Sequence, residues 1–136
     1  MMRQGSKVRY AVGDELPVLV KTVTQAKIDR YAASSGDNNP LHTDPEFAAT
    51  TQFGGTVAHG MLVLAYLSEM LTAALGERWM YAGRMKARFR APARPGDTVT
   101  SGGRVSKIDS GRVHCAAERQ NQAGEVLISA EVEVPT

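Results

Sequence analysis

Apolar and polar positions follow two rhythms along this chain, and the change from one to the other divides it. After a turn signal at Gly13-Asp14, residues 16–23 carry the β-branched and apolar side chains of a strand. Thr24 stands where an N-cap belongs, ahead of a helical stretch over 25–34 in which Ile28, Tyr31 and Ala32 share one face. Gly36 suits the stop, because glycine takes the left-handed conformation without a Cβ penalty. Residues 37–43 read as a loop, and Asp44-Pro45 as the N-cap and first position of a short helix to about residue 50. Phe53-Gly54-Gly55 breaks the chain again. Over 60–75, Met61, Leu62, Val63, Leu64, Leu67, Met70, Leu71 and Leu75 leave a helix apolar on nearly every side, with Gly76 as its stop. A helix with so little polar surface is normally buried, so other elements must wrap around it.

The second half keeps a two-residue rhythm. Over 80–90, Met85, Ala87 and Phe89 alternate with Arg84, Lys86, Arg88 and Arg90. Pro92, Pro95 and Gly96-Asp97 make a connection to a strand over 98–108, in which Gly102-Gly103 reads as a bulge. Asp109-Ser110-Gly111 is a hairpin turn, 112–120 the next strand, 121–124 a turn and 125–134 the last strand. There Val126, Ile128, Ala130, Val132 and Val134 face one way, against Leu127, Ser129, Glu131 and Glu133. One strand, helices and four antiparallel strands predict an α+β fold, a curved antiparallel sheet around one long central apolar helix.

Composition narrows the picture. The 136 residues suit one domain over 1–136, with a loose N-terminal arm over 1–11, and a 43% hydrophobic share is far from a disordered composition. Lys+Arg 16 against Asp+Glu 14 gives a net charge of +2, no electrostatic footprint for nucleic acid. The longest apolar run, 60–67, is too short for a membrane span, and the first ten residues lack a signal-peptide core. Cys115 is the only cysteine, so no intrachain disulfide is possible; a reducing, cytoplasmic setting is expected. Three scattered histidines and one cysteine show no ligand spacing, so no metal site is expected.

The chemistry concentrates in Gly36-Asp37-Asn38-Asn39-Pro40-Leu41-His42. An aspartate and a histidine on one rigid loop can hold a water between them and move its protons. Pro40 stiffens the loop by fixing its own φ, and Asn39 can hydrogen-bond within it. Ala58-His59-Gly60-Met61 then opens the apolar helix. Its first N–H groups lack intrahelical partners, the dipole favours negative charge there, and Gly60 has no side chain to keep a ligand away. A carboxylate, an imidazole and a helix N-terminus are the parts that add water to a polarised double bond, or remove it. His59 reads as structural or capping, His114 as without a chemical role, Tyr31 as core and Cys115 as packing. The basic row Arg84, Lys86, Arg88 and Arg90 is a solvated strand face, or a contact for the phosphates of coenzyme A or an acyl carrier protein.

On those residues, and on Ser68 further along the helix, the chain resembles the MaoC-like hydratase/dehydratase family of the hot-dog fold. The likeness to its (R)-specific enoyl-CoA hydratases runs from about residue 13 to 134. The resemblance implies Asp37 and His42 as catalytic and the Gly60 N–H as the donor to the thioester oxygen. It implies Asn39, Pro40, Met61 and Ser68 as supporting or substrate-binding, although Ser68 could instead bond back to the carbonyl at position 64. The implied reaction is reversible hydration of 2-enoyl-CoA to (R)-3-hydroxyacyl-CoA, with the coenzyme A thioester as substrate and no cofactor. The implied assembly is a homodimer with the acyl tunnel near its interface; a larger assembly or a heterodimer with a second hot-dog subunit stays open. A dehydratase subunit acting on acyl-carrier-protein thioesters is the alternative. Hot-dog thioesterases lack the Asp-x-Asn-Pro-x-His loop, and a non-catalytic binding subunit would not need both Asp37 and His42.

Overall fold

The computed structural model describes residues 9–136, so most of the expected N-terminal arm lies outside the described residues. The order is β1 (Leu19–Thr22), α1 (Gln25–Ser35), α2 (Pro40–Thr43), α3 (Pro45–Ala49), α4 (Gly60–Leu75), α5 (Glu77–Ala82), β2 (Arg84–Phe89), β3 (Thr98–Asp109), β4 (Arg112–Gln120) and β5 (Val126–Pro135). The strands form one antiparallel sheet in the order β1-β3-β4-β5-β2.

The helix signals act as the side-chain chemistry dictates. Thr24 accepts from the Lys27 N–H to start α1, and Gly36, at φ 79°, donates to the Ala32 carbonyl to end it. Asp44 caps α3 through the N–H groups of Glu46 and Phe47. The long helix runs from Gly60 to Leu75, as its pattern predicts. It packs on β1, β3 and β4. Leu67, Met70 and Leu71 join Ile28 from α1 and Val99, Val105, Val113 and Val134 from the sheet in the core.

Several expectations need correction. The first strand pairs regularly only over Leu19–Thr22, because Pro17 has no N–H to give to the ladder. The strand expected over 80–90 begins only at Arg84; before it the chain winds α5, which shares Gly76 with the end of α4. The bulge in β3 falls at Ser106, between Val105 and Lys107, and not at Gly102-Gly103. Gly103 answers a different need, since a Cβ there would lie 2.9 Å from the Ala116 carbonyl oxygen and 3.2 Å from Leu16. A second irregularity, where Arg119 pairs with Ile128 but Gln120 with Val126, leaves Leu127 as the extra residue. Leu127 therefore turns from the predicted polar face into the core, and its carbonyl accepts from the Arg90 N–H. Phe89, on the apolar face of β2, stays 55% exposed.

The sheet does not enclose α4 on every side. Met61, Ala65, Glu69 and Ala73, spaced four apart along the helix, form an exposed line, with Met61 58% exposed. Among the described residues no helix is long and apolar enough to cross a membrane.

Candidate active site

The segment from Gly36 to His42 is held by its own short hydrogen bonds. The Asp37 N–H donates to Ser35 Oγ (3.2 Å) and the Asn39 N–H to Asp37 Oδ1 (3.3 Å). Asn39 Oδ1 accepts from the Leu41 N–H (2.9 Å) and so caps α2, with Pro40 in its first position. The expected loop therefore holds only over 37–39, and Pro40–Thr43 form a helical turn. Its signal is the cap-plus-proline pair that also marks Asp44-Pro45. Asn39 and Pro40 do what their chemistry offers: they fix where His42 stands.

His42 is tied down from both ends. Gln25 Nε2 donates to the His42 carbonyl (2.8 Å), while Gln25 Oε1 accepts from the Thr56 hydroxyl (2.7 Å). His42 Nδ1 lies 2.8 Å from the Val57 carbonyl oxygen. A carbonyl can only accept, so Nδ1 carries the hydrogen and Nε2 of the neutral ring is a bare acceptor. Neither Gln25 nor Thr56 is marked by any local pattern; their roles need the α1–α2 contact.

His59 joins this pair, which the sequence reading did not foresee. It is 2% exposed, and its ring stacks on that of His42 with centroids 3.9 Å apart and planes at 25°. Its Nε2 donates to the Asp37 carbonyl (3.0 Å), and Tyr31 meets the ring at 4.8 Å. One donor atom each from Asp37, His42 and His59 lies within 4.8 Å of the others. Asp37 is exposed, His42 half-buried and His59 buried.

That gathering corrects the view of the histidines as scattered, and it raises metal binding. The donor set fits an ion poorly. Nearly parallel stacked imidazoles aim their in-plane lone pairs side by side instead of converging, and His42 Nδ1 and His59 Nε2 already hold hydrogen bonds to carbonyls. The arrangement suits proton transfer better.

Gly60 begins α4 one residue further on. His59, in the N-cap position, makes no side-chain cap bond, and its carbonyl takes the N–H groups of Leu62 and Val63. The Gly60 N–H thus stands at the positive end of a 16-residue helix. A cleft of about 310 Å³ opens there, lined among others by Phe53, Ala58, Gly60, Val63, Phe89 and Arg90. A Cβ on Gly60 would lie 3.1 Å from the Phe89 ring, so only glycine leaves this wall undisturbed. Met61 is exposed beside it.

Ser68 ties two helices together. Its hydroxyl oxygen accepts from Trp79 Nε1 (2.9 Å), fastening α5 to α4. Arg84, Lys86, Arg88 and Arg90 are all exposed, as a solvated row would be. Arg84 meets Glu133 at 3.6 Å and Arg90 Nε donates to Ser129 Oγ (2.7 Å). His114 lies between Asp109 (3.3 Å) and Glu133 (3.6 Å), in a surface ion-pair group. Cys115 is buried, and burial pushes its thiol pKa up, in keeping with packing.

Known proteins share this arrangement of chain. Residues 9–126 match the family described as MaoC like domain. The chain is 35% identical over 123 residues to an (R)-specific enoyl-CoA hydratase of Rhodospirillum rubrum, covering 85% of this chain and 81% of that one. It is 42% identical over 84 residues to the (R)-specific enoyl-CoA hydratase of Aeromonas caviae, 61% of this chain and 62% of that one. The solved unliganded R-hydratase of Pseudomonas aeruginosa superposes with a TM-score of 0.81 at 30% identity, covering 93% and 82% of the two chains. The solved (R)-hydratase of Aeromonas caviae gives 0.81 at 30% identity, covering 94% and 98%. The chain therefore belongs to the MaoC-like domain family, and its antiparallel sheet and long helix form that family's hot-dog fold.

Proposed function

We propose that this protein is a lyase that adds water reversibly to 2-enoyl-CoA thioesters, giving (R)-3-hydroxyacyl-CoA. The observation that carries this is the placing of Asp37 and His42 within 4.8 Å of each other, on a segment pinned beside the N-terminus of α4. Groups that close can share one water, each at hydrogen-bond distance. His42 Nε2, bare while Nδ1 donates to Val57, accepts a water proton, and the Asp37 carboxylate orients the same water. The water oxygen bonds to C3 as the double-bond electrons move toward C2 and the thioester oxygen. The Gly60 N–H faces that oxygen and stabilises its negative charge. The Asp37–His42 pair then returns a proton to C2, and dehydration runs the same steps backward.

The reaction moves a proton and a hydroxyl group and transfers no electrons, so we read it as needing no cofactor beyond the coenzyme A of the substrate. Arg90 in the lining of the cleft starts the exposed row with Arg88 and Lys86, which suits the phosphates of the carrier. The exposed line along α4 supports a homodimer, and the buried unpaired Cys115 fits the cytoplasm.

Loss of the enoyl-thioester absorbance of crotonyl-CoA, with longer enoyl-CoAs alongside, tests the reading. Asp37→Asn and His42→Ala are each expected to lower turnover by about 10²–10⁴-fold with the fold intact. Near-normal turnover in either variant would overturn the mechanism. Turnover of acyl-carrier-protein thioesters alone would replace coenzyme A as the carrier.

A further inference from the structure

His59 occupies a costly position. It is buried, its Nε2–H is committed to the Asp37 carbonyl, and its Nδ1 is buried with no hydrogen-bond partner. An unsatisfied buried acceptor is destabilising, a penalty that an apolar residue at the same place would avoid. Nor does the side chain cap the helix whose N-cap position it holds. What the imidazole does instead is touch both members of the candidate pair. It donates to the main chain of Asp37 at 3.0 Å and forms the face on which the His42 ring lies, 3.9 Å away. Its other side meets Tyr31 on α1, and its backbone leads directly into Gly60.

We propose that His59 is a positioning residue. Its N–H sets the height of the Asp37 segment, its ring sets the tilt of His42, and its place at the start of α4 references both to the Gly60 N–H. This rests on the reading of Asp37 and His42 as the proton-transfer pair. His59 itself exchanges no proton with the substrate in this role; its Nε2 hydrogen stays on the Asp37 carbonyl.

Two substitutions separate the functions of the ring and of its N–H. His59→Phe keeps an aromatic face and removes the donor; His59→Gln keeps a donor and removes the ring. A misplacement of about 1 Å can cost about 10² in rate, so His59→Phe is expected to lower kcat by about 10²-fold with KM within about threefold. His59→Gln is expected to recover about tenfold of that loss by restoring the bond to the Asp37 carbonyl. A purely structural histidine would give losses that follow the folded fraction, read by circular dichroism, with no split between kcat and KM and no rescue by Gln. That result, or a His59→Phe enzyme as fast as the wild type, would overturn the proposal. Asp37→Asn and His42→Ala, run in parallel, keep the two readings distinguishable. If they abolish turnover while His59→Phe does not, only the positioning role fails; if they leave turnover intact, the acid–base reading fails. The imidazole ¹⁵N shifts of His42 give a readout that needs no substrate: they are expected to move in His59→Phe, and unchanged shifts would also overturn the proposal.

Discussion

Arg119 is a costly side chain in the core, and removing it is expected to stabilise the protein. It lies at 0% exposure, opposite Ser101 in the β3–β4 register. Its Nη1 donates to the Ser101 hydroxyl and its Nη2 to the Val99 carbonyl (3.3 Å), while Nε is buried without a partner. The guanidinium carbon stands 5.2 Å from the centre of the Tyr66 ring. Among the described residues no carboxylate forms a salt bridge with it; Glu69 pairs with Lys21 at 3.1 Å instead. Burial lowers its pKa to about 10, against the opposing pull of Tyr66 and Glu69. That fall corresponds to roughly 3 kcal/mol against the charged form in the folded state. Truncating Arg119 alone would strand the Ser101 hydroxyl, so the perturbation is Arg119→Met combined with Ser101→Ala, which keeps the apolar stem. Losing the Tyr66 contact and the Val99 bond returns about 1–2 kcal/mol. The net expectation is a gain of about 1–2 kcal/mol, within the range seen when buried ionic groups give way to apolar ones. Urea unfolding at fixed protein concentration reads it as a higher midpoint at unchanged slope. The pH dependence carries a sign. For a base whose folded pKa is below its unfolded one, the penalty is complete below about pH 10. It fades as pH rises above about 10, where the folded arginine discharges before the unfolded one, so the advantage of the variant should shrink there. A double variant less stable than the wild type by more than about 1 kcal/mol would refute the reasoning, and would mean that the bonds of Arg119 outweigh its desolvation.

Two further expectations follow from the start of α4 and from its middle. Gly60→Pro should fold, since proline suits a first helical position and His59 before it is already extended at φ −59° and ψ 136°. Without the N–H, kcat should fall by about 10²–10³-fold; normal kcat would dismiss Gly60 as the oxyanion donor. Gly60→Ala is the steric control: it keeps the N–H but presses on the exposed Phe89 ring, so its smaller loss of activity should be relieved by Phe89→Ala. Ser68→Ala should cost about 1 kcal/mol by breaking the bond to the indole N–H of Trp79. Trp79 is the only tryptophan, so its fluorescence emission should shift; unchanged emission and stability would show the bond to be immaterial.

The legible parts of this chain are those whose cause is local. α4 and β4 end where they were expected, because Gly76 and the turns around β4 are written into neighbouring residues. The closeness of Asp37 and His42 was legible for the same reason, since both lie on one short segment. The inward place of Arg119 could have been read too: it continues the two-residue period of Val113, Cys115 and Ala117, and only its charge argued against it. α2 hid behind an asparagine cap that reads equally as a turn, and α5 behind six residues with no period long enough to choose helix over strand. The turn of Leu127 into the core depends on a register step between β4 and β5, which neither strand encodes alone. His59 belongs to the same class. Its stack on His42 and its bond to Asp37 join residues 17 and 22 positions apart, and exist only once α2 and α4 meet.

The one-sided burial of α4 connects these points to function. Its apolar sequence predicts cover on every side, yet the line from Met61 through Ala65, Glu69 and Ala73 faces outward in the single chain. That line begins beside Gly60, so the uncovered edge of the helix and the candidate site share one end. Under the homodimer reading, a second chain laid along this edge would bury Met61 and close over the approach to Gly60 in the same step. Water exclusion at the oxyanion position would then be a property of the pair of chains, and substrate would meet a finished site only in the assembled protein.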